Sequence, residues 1–109
     1  MSIKNLPFDE PFHLSQRISC RAGQVSSMGL TKPNSTCEMT LLAFSEGESV
    51  SEETYAADMM YMVVEGAMTV ALPDRRETLD CGQAMVVSAG TPHAVEGPGA
   101  FKMLQIGVG

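Results

Sequence analysis

Tryptophan is absent from this 109-residue chain, histidine occurs twice, and lysine and arginine together number seven against 13 acidic residues. From Pro33 through Asp74 there are eight acidic residues and no lysine or arginine. A phosphate backbone or an anionic membrane surface is met by basic side chains, so neither nucleic acid nor membrane is an expected partner. The net charge of −6 reads first as a solvated, solubilising surface. No run approaches the ~20 apolar residues of a membrane-spanning helix. Asp9 and Glu10 stand where a secretory leader would be apolar, and the expected location is the cytoplasm. Cys20, Cys37 and Cys81 are odd in number and lack zinc-site spacing, which fits reduced thiols rather than a disulfide framework.

The chain is long enough for one hydrophobic core and no more. With 44% hydrophobic and 18% charged residues it has the composition of a packed domain. Residues 1–21 carry isolated apolar side chains broken by Pro7 and Pro11, which predicts an extended N-terminal arm with a short helical turn within His13–Ser19. Such an arm packs across its own barrel or crosses to a partner subunit. From residue 22 onward the texture changes to short runs of β-formers punctuated every eight to twelve residues by turn residues, the pattern of an all-β barrel or sandwich. Strands are predicted near 25–31, 37–45, 49–55, 59–65, 67–72, 76–79, 84–88, 92–96 and 101–107. Glu65-Gly66, Pro73-Asp74, Asp80-Cys81-Gly82, Ala89-Gly90 and Gly97-Pro98-Gly99 supply the turns.

Two glycine-framed segments carry the functional signal. In the first, Gly47 is followed by Glu53 and Tyr55, then Met59, then Gly66; in the second, Gly82 is followed by Ser88, Gly90, His93 and Gly97. These spacings resemble the two motifs of the cupin superfamily. The first of those reads Gly, five residues, His-x-His, three or four residues, Glu, six residues, Gly. The second reads Gly, five residues, Pro-x-Gly, two residues, His, three residues, Asn. The resemblance covers about residues 25–108 and is nearest to the small single-domain bacterial cupins, many of which have no assigned activity. It implies a cupin-type double-stranded β-helix, that is, a jelly-roll barrel, over residues 22–109, and it implies that small cupins of this kind pair as homodimers.

The departures from the motif shape the functional expectation. Where metal-binding cupins place two histidines and a glutamate, this chain has Glu53, Tyr55 and Met59, and His93 alone matches. A thioether is a soft, poor donor for most of the metals concerned, and an un-ionised phenol is little better. Glu53 and His93 then remain as metal ligands, too few for tight closure, with Asp58 joining them only if the strand register shifts by one residue. The expected cofactor is therefore none, or a weakly bound divalent metal.

Strand alternation puts Glu53 and Tyr55 on one face, continues it through Met59, Tyr61 and Val63, and brings in His93 from the second motif. Met39, Met85, Phe101 and Met103 are further candidates to line the interior. Nine methionines suit an adaptable apolar cavity, although each is also ordinary core filling. The expected partner is a small organic ligand whose polar end meets Glu53, Tyr55 and His93. If Glu53 accepts a hydrogen bond from His93, the pair can act as an oriented base with Tyr55 as proton donor. The resemblance adds that some metal-free sugar-epimerase cupins use a His base and a Tyr acid. A binding module, a cupin enzyme of oxygenase, isomerase or epimerase type, and a purely structural dimer all fit these residues. His13 and Cys81 have no partner in the pattern.

Overall fold

A computed structural model describes residues 2–109. All nine predicted strands form: β1 Val25–Gly29, β2 Cys37–Phe44, β3 Val50–Glu53, β4 Asp58–Glu65, β5 Ala67–Ala71, β6 Arg76–Asp80, β7 Ala84–Val87, β8 His93–Glu96 and β9 Phe101–Val108. They make two antiparallel sheets, five strands in the order β1-β2-β9-β4-β7 and four in the order β3-β8-β5-β6. This is a jelly-roll sandwich. β3 is shorter than the pattern suggests because its antiparallel partner β8 begins at His93, opposite Glu53, so the ladder ends there, before Tyr55. The helical turn shrinks to a 3-10 turn at Leu14–Gln16. Among the described residues, no helix is long and apolar enough to cross a membrane.

The core lies between the sheets. Phe44, Met59, Tyr61, Val63, Val87, Phe101 and Met103 project inward from the five-stranded sheet to meet Met68, Val70, Leu79 and Val95 from the other. One end is closed by Phe44 and Phe101, stacked with ring centroids 4.4 Å apart. β9 sets the order of these side chains because it pairs with β2 along its whole length and with β4 along most of it. Phe101, Met103 and Gln105 thus fall on the inner side, and Lys102, Leu104 and Ile106 on the outer.

The arm is tied to its own barrel. Lys4 N–H donates to the Leu30 carbonyl, the Asn5 side chain donates to the Gly29 carbonyl, and the Lys102 ammonium donates to the Ser15 carbonyl at 2.7 Å. Leu41 and Ala43 point outward from β2 and are nevertheless fully buried; the register sets Ala43 beside Lys102, where the arm is fastened. The three cysteines are free thiols, with Cys20 and Cys37 half-buried and Cys81 exposed.

The four glycines that frame the two motifs, Gly47, Gly66, Gly82 and Gly90, all have positive φ. Gly66 is constrained twice. Its φ of 76° belongs to the left-handed region, and a Cβ there would stand 2.6 Å from the Ala100 carbonyl oxygen, so the β4–β5 turn packs directly on the start of β9. Gly47, with φ 86°, has nothing within 4 Å of the same position. Gly47→Ala should therefore cost only the left-handed backbone penalty of ~1–2 kcal/mol, whereas Gly66→Ala should cost clearly more. Urea-unfolding midpoints of the two variants check this, and equal losses would contradict the packing assigned to Gly66.

Candidate functional site

At the end of the sandwich opposite the Phe44–Phe101 stack, the inner face becomes polar. Thr40 on β2, Gln105 on β9 and Tyr61 on β4 form one row across the five-stranded sheet; Glu38, Gly107 and Met59 form the next row outward. A cavity of about 300 Å³ opens here, lined by Glu38, Thr40, Tyr55, Met59, Gln105 and Gly107 among others. Gly107 matters for its missing side chain, since a Cβ would lie 3.2 Å from the Met59 sulfur. The glycine lets the Met59 thioether lie across the floor without filling the mouth.

His93 opens β8 and is 3% exposed. Its Nδ1 lies 2.8 Å from the Thr91 carbonyl, and its Nε2 lies 2.7 Å from the hydroxyl of Tyr61, itself 1% exposed. A carbonyl oxygen only accepts, so Nδ1 carries the hydrogen and donates it to Thr91; Nε2 is then left to accept the Tyr61 O–H. The imidazole ring stands between two tyrosines, with Tyr61 edge-on and Tyr55 tilted, each ring centroid 5.6 Å away. No buried side-chain nitrogen or oxygen among the described residues lacks a partner, so this pair is closed within the protein.

Both phenols are held in their protonated form. Burial, followed by the charge of Glu53 and its hydrogen bond, raises the Tyr55 phenol above its ordinary value of 10.0. Burial again comes first for Tyr61, followed by Tyr55 and Glu53, and lifts it further above that value. The Tyr61 hydroxyl therefore stays a donor to His93 across the neutral range.

The geometry brings Tyr55, Met59, Tyr61 and His93 together and corrects several sequence expectations. Glu53 lies opposite His93 in the β3–β8 ladder, but it is exposed and stands beside Tyr55. It is not the hydrogen-bond partner of His93, because Tyr61 and Thr91 take both ring nitrogens. Met39 is not part of the lining: it pairs with Ile106 on the outer side of the sheet, one residue out of phase with Thr40. Phe101 and Met103 face inward, but toward the closed, fully buried end of the sandwich. Met85 lies opposite Tyr61 on β7 and packs against the core rather than bordering the cavity. Asp58 points outward, accepting the Ala89 N–H at 2.8 Å. The sequence reading missed Glu38, Thr40 and Gln105, which the two-residue alternation of β2 and β9 would have placed inside had it been phased from Phe44 and Phe101.

Replacing Tyr61 by Phe removes the donor that satisfies buried Nε2, at an expected cost of ~1–3 kcal/mol. It should also alter the alkaline limb of the stability profile. A phenol that holds its proton more tightly when folded contributes stability below the ordinary value of 10.0, and that stability is lost as pH rises above it. Urea unfolding between pH 8 and 11 should show wild-type stability falling more steeply above ~pH 10 than that of Tyr61→Phe, in which only Tyr55 still contributes with that sign.

Among solved structures, the chain is similar to a cupin superfamily protein from Desulfitobacterium hafniense, at 37% identity and a TM-score of 0.93 over 99% of this chain and 98% of that one. It is also similar to a cupin 2 conserved barrel domain protein from Leptotrichia buccalis, at 31% identity and a TM-score of 0.82 over 90% of this chain and 47% of that one. A conserved protein of unknown function from Streptococcus pyogenes shares the fold, with 23% identity and a TM-score of 0.92 over 99% and 94% of the two chains. No family model and no curated protein matches the sequence. The near-full-length likeness at 37% identity, on a jelly roll with positive-φ glycines at the motif positions, establishes that the chain belongs to the cupin superfamily.

Proposed function

We propose that the open end of the barrel binds a small organic molecule, and that it does so without a tightly held metal. The observation that carries this reading is the cavity of about 300 Å³ whose wall presents Tyr55, Thr40, Gln105 and Glu38 above the thioether floor of Met59. A concave site with a few convergent polar groups and an apolar, adaptable base is the usual form of a small-molecule pocket. The side chains of Thr40 and Gln105 can turn their hydrogen-bonding groups toward a ligand, and the Tyr55 hydroxyl stands beside them, bonded to Glu53. Beneath them the Tyr61–His93 pair stiffens the base.

The donor set does not fit the metal of the metal-binding cupins. Met59 stands in the carboxylate position, Glu53 is exposed at the rim, and the Nε2 lone pair of His93 accepts from Tyr61. Among the described residues, no group of three or more His, Cys, Asp or Glu side chains is placed to hold an ion. A divalent metal at His93 would have to break the bond to Tyr61, which supports weak occupancy at most.

A second reading, acid–base catalysis by a His/Tyr pair, is favoured by the protonated Tyr55 phenol beside the His93 ring. Here Tyr55 would donate a proton to a bound substrate, and His93 would act through Tyr61.

Two measurements test these readings. Protein purified without chelator or added metal should contain well under one equivalent of Fe, Mn, Ni, Cu or Zn by elemental analysis; a full equivalent lost in His93→Ala would overturn the metal-free reading. A fragment library titrated into labelled protein should shift the amide signals of Gly107 and Gly109 first. Gln105→Leu and Thr40→Val should each weaken the best binder by ~2–10-fold, the value of one hydrogen bond. Binders that leave both amides unmoved would place the site elsewhere. Turnover abolished by both His93→Ala and Tyr55→Phe would make the second reading the correct one.

A further inference from the structure

We infer that the molecule bound at the open end of the barrel is a cation, with a primary ammonium group on a small apolar frame. The inference rests on the reading of that cavity as a binding site and names the class of molecule it takes. Among the described residues, no lysine, arginine or histidine lines the cavity, and Glu38 is the one charged side chain that does. The sign of the charge has its origin in the sequence. Apart from Gln105, Gly107 and Gly109, the lining comes from the stretch Pro33 to Asp74, which holds eight acidic residues and no lysine or arginine. Lys102, the basic residue of β9, is bonded to Ser15 and Glu65 near the closed end of the sandwich. The ion pairs of the described residues occupy Glu65, Asp74, Glu77 and Glu96, so Glu38 meets no cation within them.

Three acceptors can converge on that charge. Two-residue alternation puts Glu38 and Thr40 on the same face of β2, and the ladder sets Thr40 opposite Gln105 and Glu38 opposite Gly107. Directly opposed side chains start ~5 Å apart and diagonal ones ~7 Å, so the Glu38 carboxylate, the Thr40 hydroxyl and the Gln105 carbonyl can reach one point from three sides. An ammonium group has three hydrogens to donate and accepts none. Gly107 puts no side chain across from Glu38, and the Met59 sulfur bounds that side, 3.2 Å from where a Cβ would stand. The Oε1 of Glu38 accepts the Asn34 N–H at 2.7 Å, which holds the carboxylate in place and leaves Oε2 for a ligand. Any molecule that fills the cavity takes water from that oxygen. An uncharged ligand leaves the carboxylate uncompensated and an anion adds repulsion, whereas a cation replaces the lost water with a charge-assisted hydrogen bond. Glu53, exposed and bonded to the Tyr55 phenol, adds a second negative charge at the rim. The Met59 thioether, with Ala56 and Ala57, then meets the carbon frame of the ligand.

Probes that share one ring and differ in charge test the inference. Cyclohexylmethylammonium, cyclohexylmethanol and cyclohexanecarboxylate are each titrated into labelled protein while the Gly107 and Gly109 amides are followed. The ammonium should move both amides and bind at least ~10-fold more tightly than the alcohol, the value of one hydrogen bond to a charged group, and the carboxylate should bind most weakly. Glu38→Gln keeps an acceptor for the Asn34 N–H and should weaken the ammonium by ~10-fold while changing the alcohol by less than ~2-fold. Raising salt from ~20 to ~500 mM should weaken the ammonium alone, a readout that needs no variant. An alcohol or carboxylate that binds as tightly as the ammonium, or an ammonium affinity unmoved by both Glu38→Gln and salt, would overturn the inference while leaving the cavity a binding site. Amides that none of the probes moves would overturn it too, and if the fragment library also leaves them unmoved, the reading of the cavity as a site falls with it.

Discussion

The side-chain phase of β9 is the constraint on which the rest depends. Hydrogen-bonded to β2 along one edge and β4 along the other, this strand fixes which residues of all three point inward. Phe101 and Met103 seal one end, Gln105 and Gly107 open the other, and Leu104 and Ile106 are sent to the far side. The cavity and the outer side of the sheet are thus two readings of one ladder. The turn at Gly66 supports it by letting the β4–β5 corner rest on the beginning of β9.

Within that frame, the hydrogen bond between Tyr61 and His93 decides the character of the site. Thr91 takes the hydrogen of Nδ1, and the phenol then occupies the lone pair with which an imidazole would otherwise bind an ion. Burial keeps that phenol protonated, so donor and acceptor are matched. The motif position that would complete an ion site instead holds a thioether, which suits an apolar floor.

The barrel was legible in the sequence because its evidence is local. Turn glycines reveal themselves by spacing, and strands by the density of β-formers; every strand formed within a few residues of its expected span. His93, Tyr55 and Met59 were found the same way, through their offsets from Gly47, Gly66, Gly82 and Gly90. What could not be read was pairing between strands distant in sequence. Glu53 shares a ladder position with His93, yet its side chain is exposed beside Tyr55. Tyr61 was expected only to line the interior, because nothing within β4 shows that its hydroxyl reaches a ring 32 residues away. Met39 was assigned inward for its chemistry, whereas Thr40 holds that place for reasons of phase, and phase depends on which partner anchors the strand.

Because β2, β4 and β9 are committed on both sides, their tolerance to changes in length is unusual. Losing or gaining one residue within β9 would turn Gln105 outward and Ile106 inward, exchanging a water-lined recess for a greasy one. Such strands can shorten or lengthen safely only by two residues at a time, or beyond their ends. Divergence within this lineage should therefore collect in the arm and the connecting turns, while the spacing from Phe101 to Gly107 stays invariant.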